Sequence, residues 1–310
     1  MGGDSTDTPE GVGRGGEHVP VLLQEAIEFL AIRHGGTYLD ATVGLGGHSY
    51  EIAKRLGAPG HLIGLDKDPA ALDVATGALA RRASQDWPAI TLLHRSFAEL
   101  ANQPPASQRF DGILADLGMS SLQLNDAARG FSFQAEGPLD MRMNPQAEVA
   151  AEQVVNRFDE RELADVIYEF GEERRSRRIA RAIVRSRPIR STTHLAQIIS
   201  AAARPMNKAE RRIHPATRTF QALRIFVNGE LNDLRALLEA APQMLKAGGR
   251  LVIISFHSLE DRIVKDALRE GEKKDKYFRI LTKKPVMASE TEVEQNPRAR
   301  SAKLRAAERV

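Results

Sequence analysis

Short apolar segments alternate with longer segments of helical periodicity in the first part of the chain. Four of the apolar segments end in a polar residue, at residues 38–40, 61–66, 90–94 and 110–116. Short apolar runs separated by helical patterns are typical of strands in a parallel sheet. The pattern therefore predicts an α/β domain.

A glycine-rich loop follows the first apolar segment and precedes a helical one. Gly44, Gly46 and Gly47 lie in it, and glycine lets backbone N–H groups approach a ligand closely because it has no Cβ. Nicotinamide enzymes and S-adenosylmethionine methyltransferases both use such a loop, and so does a tight turn that binds nothing. The nicotinamide fingerprint G-x-G-x-x-G is incomplete, because Ser49 stands where its third glycine belongs.

Three of the four apolar segments end in a carboxylate, at Asp40, Asp66 and Asp116. The carboxyl ends of parallel strands meet at one edge of a sheet, where open α/β sheets bind their ligands. An acid after the second strand holds ribose hydroxyls in such sheets. One acid could simply cap a helix, but three at equivalent places predict a nucleotide-like ligand.

Helical signals replace the strand rhythm after residue 121. Asp159 and Glu162 have capping-box spacing, the apolar residues over 220–238 predict one long helix, and Ser258 is predicted to cap a later one. Strand patterns return over 250–255, 277–281 and 302–307. We expect a disordered tail over 1–17, a ligand-binding α/β domain over 18–124 and 216–310, and an inserted helical domain over 125–215.

Positive charge is concentrated in this helical insertion. The whole chain carries a net charge of +3, but residues 171–224 hold thirteen Arg and one Lys against three Glu. A single Arg-rich helix is usually a solvated face. A whole basic region beside an acidic remainder favours contact with a polyanion, and the planar guanidinium suits phosphate.

The chain of 310 residues contains no cysteine. This excludes thiolate nucleophiles, iron–sulfur clusters and cysteine zinc sites, and with them cytosine C5-methyltransferases, radical adenosylmethionine enzymes and zinc cytidine deaminases. We see no membrane-spanning run and no secretory signal, and so we expect a cytoplasmic protein that does not act at a membrane.

Seven segments share one family resemblance. They are Gly44-Leu-Gly-Gly-His48, Asp116-Leu-Gly-Met-Ser-Ser121, Arg129-Gly-Phe-Ser-Phe133, Gly137-Pro-Leu-Asp-Met-Arg-Met143, His214-Pro-Ala-Thr-Arg-Thr-Phe-Gln-Ala-Leu-Arg224, Ile254-Ser-Phe-His-Ser-Leu-Glu-Asp-Arg262 and Asn296-Pro-Arg-Ala-Arg-Ser301. From about residue 18 to its end, the chain resembles the bacterial 16S ribosomal RNA cytosine-N4 methyltransferases, also called RsmH or MraW.

This resemblance implies a class I S-adenosylmethionine methyltransferase fold, a Rossmann-like, mostly parallel seven-stranded sheet. It implies methylation of a cytidine in the decoding region of 16S rRNA in the small ribosomal subunit, with S-adenosyl-L-methionine as cofactor and without a metal. The cofactor-binding residues it implies are Gly46, Gly47, His48, Asp66, Phe97, Asp116 and Gln123. Without the family, Phe97 is equally well explained as a core aromatic and His48 as a surface residue.

The chemistry requires an acceptor for a hydrogen of the cytosine amine, whose lone pair is delocalised into the ring. Many amino-methyltransferases place Asp/Asn-Pro-Pro-aromatic after the fourth strand, but this chain has Asp116-Leu-Gly-Met-Ser there. The catalytic residue is therefore unassigned among Asp116, Asp140 and His257. The candidates for RNA binding are Phe131, Phe133, Asp140, Arg142, Arg178, Arg181, His214, Arg218 and Ser255.

Each candidate also has a purely structural interpretation. Asp140 could pair with a loop cation, the two phenylalanines could belong to a core, and His257 could be a buried histidine with its partners satisfied. Two other functions explain part of the sequence. A nicotinamide dehydrogenase shares the glycine loop, and a non-catalytic RNA-binding assembly factor explains the basic insertion. The sequence is compatible with a monomer or a homodimer.

Overall fold

A seven-stranded sheet forms the centre of the protein. The computed structural model describes residues 20–102, 109–203 and 214–310; the predicted tail and most of the basic loop over 205–215 lie outside them. The strands are β1 (Thr37–Asp40), β2 (His61–Asp66), β3 (Ala89–His94), β4 (Phe110–Asp116), β5 (Leu245–Ser255), β6 (Phe278–Ile280) and β7 (Lys303–Arg309).

The sheet order is β3-β2-β1-β4-β5-β7-β6. The first five strands run parallel, and β7 is antiparallel to both β5 and β6. The predicted α/β class and its mostly parallel seven-stranded sheet are confirmed. All four early strands end where the sequence indicated. The apolar runs of β1, β2 and β4 are mostly buried, whereas β3 at the edge of the sheet is half exposed.

Thirteen α-helices of the described part surround or extend the sheet. They are α1 (Leu23–Leu30), α2 (Gly47–Leu56), α3 (Pro69–Arg81), α4 (Phe97–Asn102), α5 (Ser121–Asn125), α6 (Ala151–Arg157), α7 (Glu160–Gly171), α8 (Ser176–Arg185), α9 (Thr192–Ala202), α10 (Thr217–Asn228), α11 (Glu230–Met244), α12 (Ser258–Lys273) and α13 (Glu290–Gln295). Among the described residues, none of these helices has the length and apolar character needed to span a bilayer.

Alternate residues of the strands pack on opposite faces of the sheet. Leu39, Ile113 and Ile253 contribute to the cluster formed with α11 and α12. Their neighbours Tyr38 and Leu114 contribute to the cluster formed with α1 and α2. This period of two is what a sheet covered on both faces requires.

The inserted helices have an apolar core of their own. It runs from Phe131 through α6–α9 and includes Phe220 and Leu223 of α10. The core of the insertion therefore extends past residue 215 into the first helix after it.

Two local predictions are wrong. The long helix predicted over 220–238 is two helices, because Gly229 adopts φ 61° between α10 and α11. This left-handed conformation ends an α-helix and favours glycine. The cap of α12 is His257 rather than Ser258; the His257 side chain accepts from the Glu260 N–H. The Asp159–Glu162 capping box is confirmed.

Candidate active site

A cleft opens at the carboxyl edge of the sheet, where β1, β2 and β4 end. It encloses about 1070 Å³ of unfilled space, part of it open to solvent. Six of the seven residues expected to bind the cofactor line it: Gly47, His48, Asp66, Phe97, Asp116 and Gln123. Gly46 lies behind this wall with φ 84°, where a Cβ would be 3.3 Å from the Cβ of Ala75.

Two strand-end acids shape the glycine loop. Asp66 accepts hydrogen bonds from the N–H groups of Gly44 and Asp68, both at 2.8 Å, and burial raises its pKa. Asp40 is fully buried and accepts from the Ser49 hydroxyl at 2.5 Å; burial raises its pKa to about 6. Asp40 therefore anchors the glycine loop through Ser49. A glycine at position 49 would have no hydroxyl to donate to Asp40.

Asp116 brings an unsatisfied oxygen to the cleft. Its Oδ2 is 3.6 Å from Nδ1 of His48, whose Nε2 lies 3.2 Å from the carbonyl oxygen of Val21. Its Oδ1 is buried and has no hydrogen-bond partner among the described residues. Burial, together with the charges of Asp40 and Glu260, raises the pKa of Asp116 to about 8. A carboxyl with an orphaned oxygen in a cleft indicates a ligand that carries a donor or a positive charge.

Arg298 fixes the loop that follows β4. Its guanidinium donates to the carbonyl oxygen of Met119 and to the hydroxyl of Ser121, and its charge lowers the pKa of Asp116 against the effect of burial. Arg298 lies in one of the seven family segments, but no role was predicted for it from the sequence. Its only signal was its position after Asn296-Pro, beside Arg300 and far along the chain from the loop it holds.

A buried carboxylate joins the cleft to the inserted segment. Asp68 is fully buried at the start of α3 and accepts from Gln123 Nε2 at 2.9 Å and from Arg129 Nη1 at 2.8 Å. The Gln123 Oε1 accepts from the Ser120 N–H at 3.0 Å, so the fold uses both ends of this amide. Arg129 Nη2 also donates to both carbonyl oxygens of residues 142–143. Gln123 thus lines the cleft mainly as a structural residue.

Asn228, at the end of α10, makes a second connection. Its side chain accepts from the Met143 N–H at 2.7 Å and donates to the Met141 carbonyl oxygen at 2.8 Å. Lys67, just after β2, donates to the Asn228 carbonyl oxygen at 2.7 Å and pairs with Asp233. The tip of β2 is therefore tied to the insertion at two points.

Asp140 and Arg142, two RNA-binding candidates, lie outside the cleft wall. They form a two-point ion pair, with Nε–Oδ1 3.0 Å and Nη2–Oδ2 2.7 Å, and Arg142 holds the pKa of Asp140 below its usual range against the effect of burial. Phe131 is buried in the core of the insertion. Ser255 is buried and donates to the Lys303 carbonyl oxygen at 3.3 Å. Three of these side chains are thus engaged within the fold and the fourth, Phe131, lies in its core.

The remaining candidates are an aromatic pair, Phe133 and His214, and three exposed arginines. Phe133 stacks on His214, with ring centroids 4.6 Å apart, and meets Phe220 edge-on. Arg178, Arg181 and Arg218 are exposed; Arg181 pairs with Glu160 and Arg218 lies 3.9 Å from Glu173.

His257 contacts Glu260, a residue of the cleft wall. Its Nε2 lies 3.1 Å from Oε1 of Glu260, without hydrogen-bond geometry. Glu260 is buried, lines the cleft and accepts from the Phe256 N–H at 2.8 Å. His257 and, more distantly, Arg224 lower the pKa of Glu260 against the effect of burial. His257 therefore holds an ionised Glu260 in place.

Comparison with known proteins identifies the family. The family model described as the MraW methylase family matches residues 15–310. The chain belongs to the MraW methylase family.

Relatives cover the same length. A protein from Koribacter versatilis named ribosomal RNA small subunit methyltransferase H is 72% identical over 295 residues, 94% of each chain. One of the same name from Acidobacterium capsulatum is 60% identical, over 94% of this chain and 98% of the relative. A solved structure of an rRNA methylase from Streptococcus thermophilus has 10% identity and a TM-score of 0.43, covering 93% of both chains.

The residues of this MraW methylase fit its cofactor, S-adenosyl-L-methionine, which carries a positive sulfonium, a ribose and an adenine. Asp116 supplies the unsatisfied acidic oxygen for a cation, and Asp66 stands at the β2 tip, where ribose hydroxyls are held. Phe97 forms part of the apolar wall. The cleft thus contains two strand-end acids and an aromatic side chain from the start of α4.

Replacing Asp66 with Ala should weaken cofactor binding by about 1.5–3 kcal/mol, because charge-assisted hydrogen bonds are lost. Calorimetry with S-adenosylhomocysteine would measure the change. Asp73→Ala, on the exposed side of α3, is the control and should bind as the parent does. Equal affinity of the two variants would show that Asp66 does not contact the ligand.

Proposed function

We propose that the chain transfers a methyl group from S-adenosyl-L-methionine to the N4 amine of one cytidine in the decoding region of 16S rRNA. The single observation that carries this proposal is the buried, unpartnered Oδ1 of Asp116 in a cleft joined to a basic helical module. The names of the relatives, small subunit rRNA methyltransferases, support the substrate.

The cofactor supplies an already activated methyl group when bound. The amine of cytosine is a poor nucleophile, since its lone pair is shared with the ring. Asp116 can accept a hydrogen from this amine, which lets the nitrogen become pyramidal and nucleophilic. Holding the amine in line with the methyl group is worth roughly 7–11 kcal/mol of the barrier. The bonds of Arg298 to Met119 and Ser121 keep the loop after Asp116 in place for that purpose.

We assign RNA binding to the exposed arginines of the insertion. Arg174, Arg178 and Arg185 lie along the exposed stripe of α8 and the residues before it, and none of them forms an ion pair within the described residues. Phe133 stacked on His214 provides an aromatic surface nearby in the same module. The protein's partner is then the small ribosomal subunit or its RNA, and its place of action the cytoplasm.

Transfer of a tritiated methyl group to small-subunit particles tests the reaction, and mass mapping of cytidines in 16S rRNA from cells lacking the gene tests the position. Label on the N4 amine of one cytidine is expected. RNA binding without transfer would instead favour a non-catalytic assembly factor. Stabilisation against heat by NAD but not by S-adenosylmethionine would favour a dehydrogenase.

Binding of RNA should weaken steeply with salt. If the insertion contacts about six phosphates, log affinity against log salt concentration should have a slope near −4 for single-stranded RNA. Fluorescence anisotropy over a salt series measures it. Arg174→Gln with Arg178→Gln should make the slope shallower, whereas Arg81→Gln on α3 should not. A slope near zero for the parent would rule out phosphate contacts.

A further inference from the structure

A second cavity lies away from the cleft, between α12, β6 and β7. It has about 640 Å³ of unfilled space, part of it open to solvent. The charged residues that line it are Lys265, Arg269, Glu272, Lys273, Lys283 and Arg305. Five of these six are cations, and none of them has a role in the methyl-transfer site.

The wall of this cavity contains a buried arginine. The Arg305 side chain on β7 is 9% exposed, and its Nε donates to Asp261 Oδ1 at 2.6 Å. Lys303 lies 3.4 Å from the other oxygen of Asp261. One carboxylate therefore serves two cations and fixes Arg305 from one side only. A guanidinium held in place along the wall of a cavity is pre-organised for an oxyanion.

The other cations at the cavity leave an excess of positive charge. Arg269, Lys273 and Lys283 are exposed, and within the described ranges none of them forms an ion pair. The one acid of the wall, Glu272, accepts from the Ile280 N–H at 2.9 Å and so is engaged by the backbone. Lys265 pairs with Asp266 and Arg305 with Asp261, which leaves Arg269, Lys273 and Lys283 against the one acid of the wall. An anion relieves this excess of positive charge.

We infer that this cavity binds a phosphodiester group of the RNA, at a point distant from the methylated base. The inference rests on the proposed function for the identity of the RNA. Glu260 lines the cleft and Arg269 lies nine residues further along the same helix, roughly 14 Å at 1.5 Å per residue. A long RNA can therefore occupy both sites, while a short oligonucleotide around the target cytidine reaches only the cleft.

The test compares two double variants of equal charge in the full chain. Arg269→Gln with Lys283→Gln removes two cavity cations that are exposed. Lys54→Gln with Arg81→Gln removes two exposed cations from α2 and α3, at the other end of the sheet. Affinities for full-length 16S rRNA and for a short oligonucleotide would be measured over a salt series, with methyl transfer in parallel. Inorganic phosphate would be titrated into the parent protein separately.

For 16S rRNA, the cavity variant should lose about ten-fold in affinity at low salt, and its salt slope should be shallower by about 0.7–1, for the one phosphate contact that it loses. The control variant should resemble the parent, and both should bind the short oligonucleotide alike. Equal slopes for the two variants would overturn the inference. Phosphate binding by the parent together with equal slopes would assign the cavity to a free phosphate and also overturn it.

These outcomes are separate from those of the proposed function. RNA binding without methyl transfer would refute the reaction. The salt slopes of the cavity and control variants would still show whether the cavity contacts RNA. Methyl transfer with equal slopes would support the reaction and refute the cavity as an RNA contact.

Discussion

Replacing Asp116 with Asn should lower the turnover number by roughly 10²–10⁴-fold, the usual contribution of a positioned proton acceptor. The amide keeps the shape of the side chain but is a much weaker acceptor for the amine hydrogen. Single-turnover methyl transfer at saturating RNA and cofactor measures the chemical step. Asp140→Asn is the matched control, because its carboxylate pairs with Arg142 outside the cleft.

Asp140→Asn should retain turnover per folded molecule. Full activity of Asp116→Asn, or loss of activity in Asp140→Asn with normal RNA binding, would move the role of acceptor away from Asp116.

The pKa of about 8 at Asp116 adds a pH dependence. Below that pH the carboxyl is protonated in the cofactor-free protein, and a cationic sulfonium favours the ionised form. Affinity for S-adenosylmethionine should therefore rise with pH up to about 8, more than affinity for S-adenosylhomocysteine, whose sulfur is neutral. Calorimetry across this range measures both. The difference between the ligands should vanish in Asp116→Asn, and its persistence there would assign the titration to another group.

The same raised pKa affects stability. The folded protein holds this proton more tightly than the unfolded chain does. The stabilisation that protonated Asp116 adds to the free energy of unfolding is therefore fully present at a pH below the usual pKa of aspartate. This stabilisation is lost as the pH rises from the usual pKa of aspartate through about 8.

Replacing Arg129 with Ala should lower the free energy of unfolding by about 3–5 kcal/mol, the cost of leaving one buried charge of a pair without its partner. Asp68 is fully buried and would keep only the Gln123 amide and a backbone N–H. Two carbonyl oxygens of residues 142–143 would lose their donor as well. Urea unfolding followed by circular dichroism measures the change.

Arg181→Ala provides the comparison. Arg181 pairs with Glu160 where both side chains are about half exposed, 57% and 43%, and such pairs contribute at most about 1 kcal/mol. If the two variants were equally stable, the Asp68–Arg129 contact would not be a principal connection between the sheet and the insertion.

Periodicity and strand-end chemistry were sufficient to predict the strands and the acids at their ends, whereas His48, Phe97 and Gln123 at the cleft came from the family resemblance. β2 and β4 are buried apolar runs that end in an acid, so the positions of Asp66 and Asp116 follow from local sequence. The break at Gly229 was missed because the apolar spacing continues across it, although Asn228-Gly229 is itself a signal for the end of a helix. His257 was missed as a cap because histidine is an uncommon residue at that position.

The connections between distant segments were not predictable from one sequence. Arg129 is 61 residues from Asp68, and Arg298 is 179 residues from Met119. The sequence around each arginine does not predict which residue it contacts. Asp140 shows the converse case, because an acid in a family segment is held by the arginine two residues later and does not reach the cleft.

The helical insertion has an apolar interior separate from the two that cover the sheet. The core that supports its exposed arginines is therefore a different set of side chains from the core that supports the glycine loop. During divergence, such a chain can change the surface charge of the insertion by substitutions there while the packing around the methyl-donor cleft stays constant. The requirement is that Arg129 and Asn228, which hold the two modules in register, are retained.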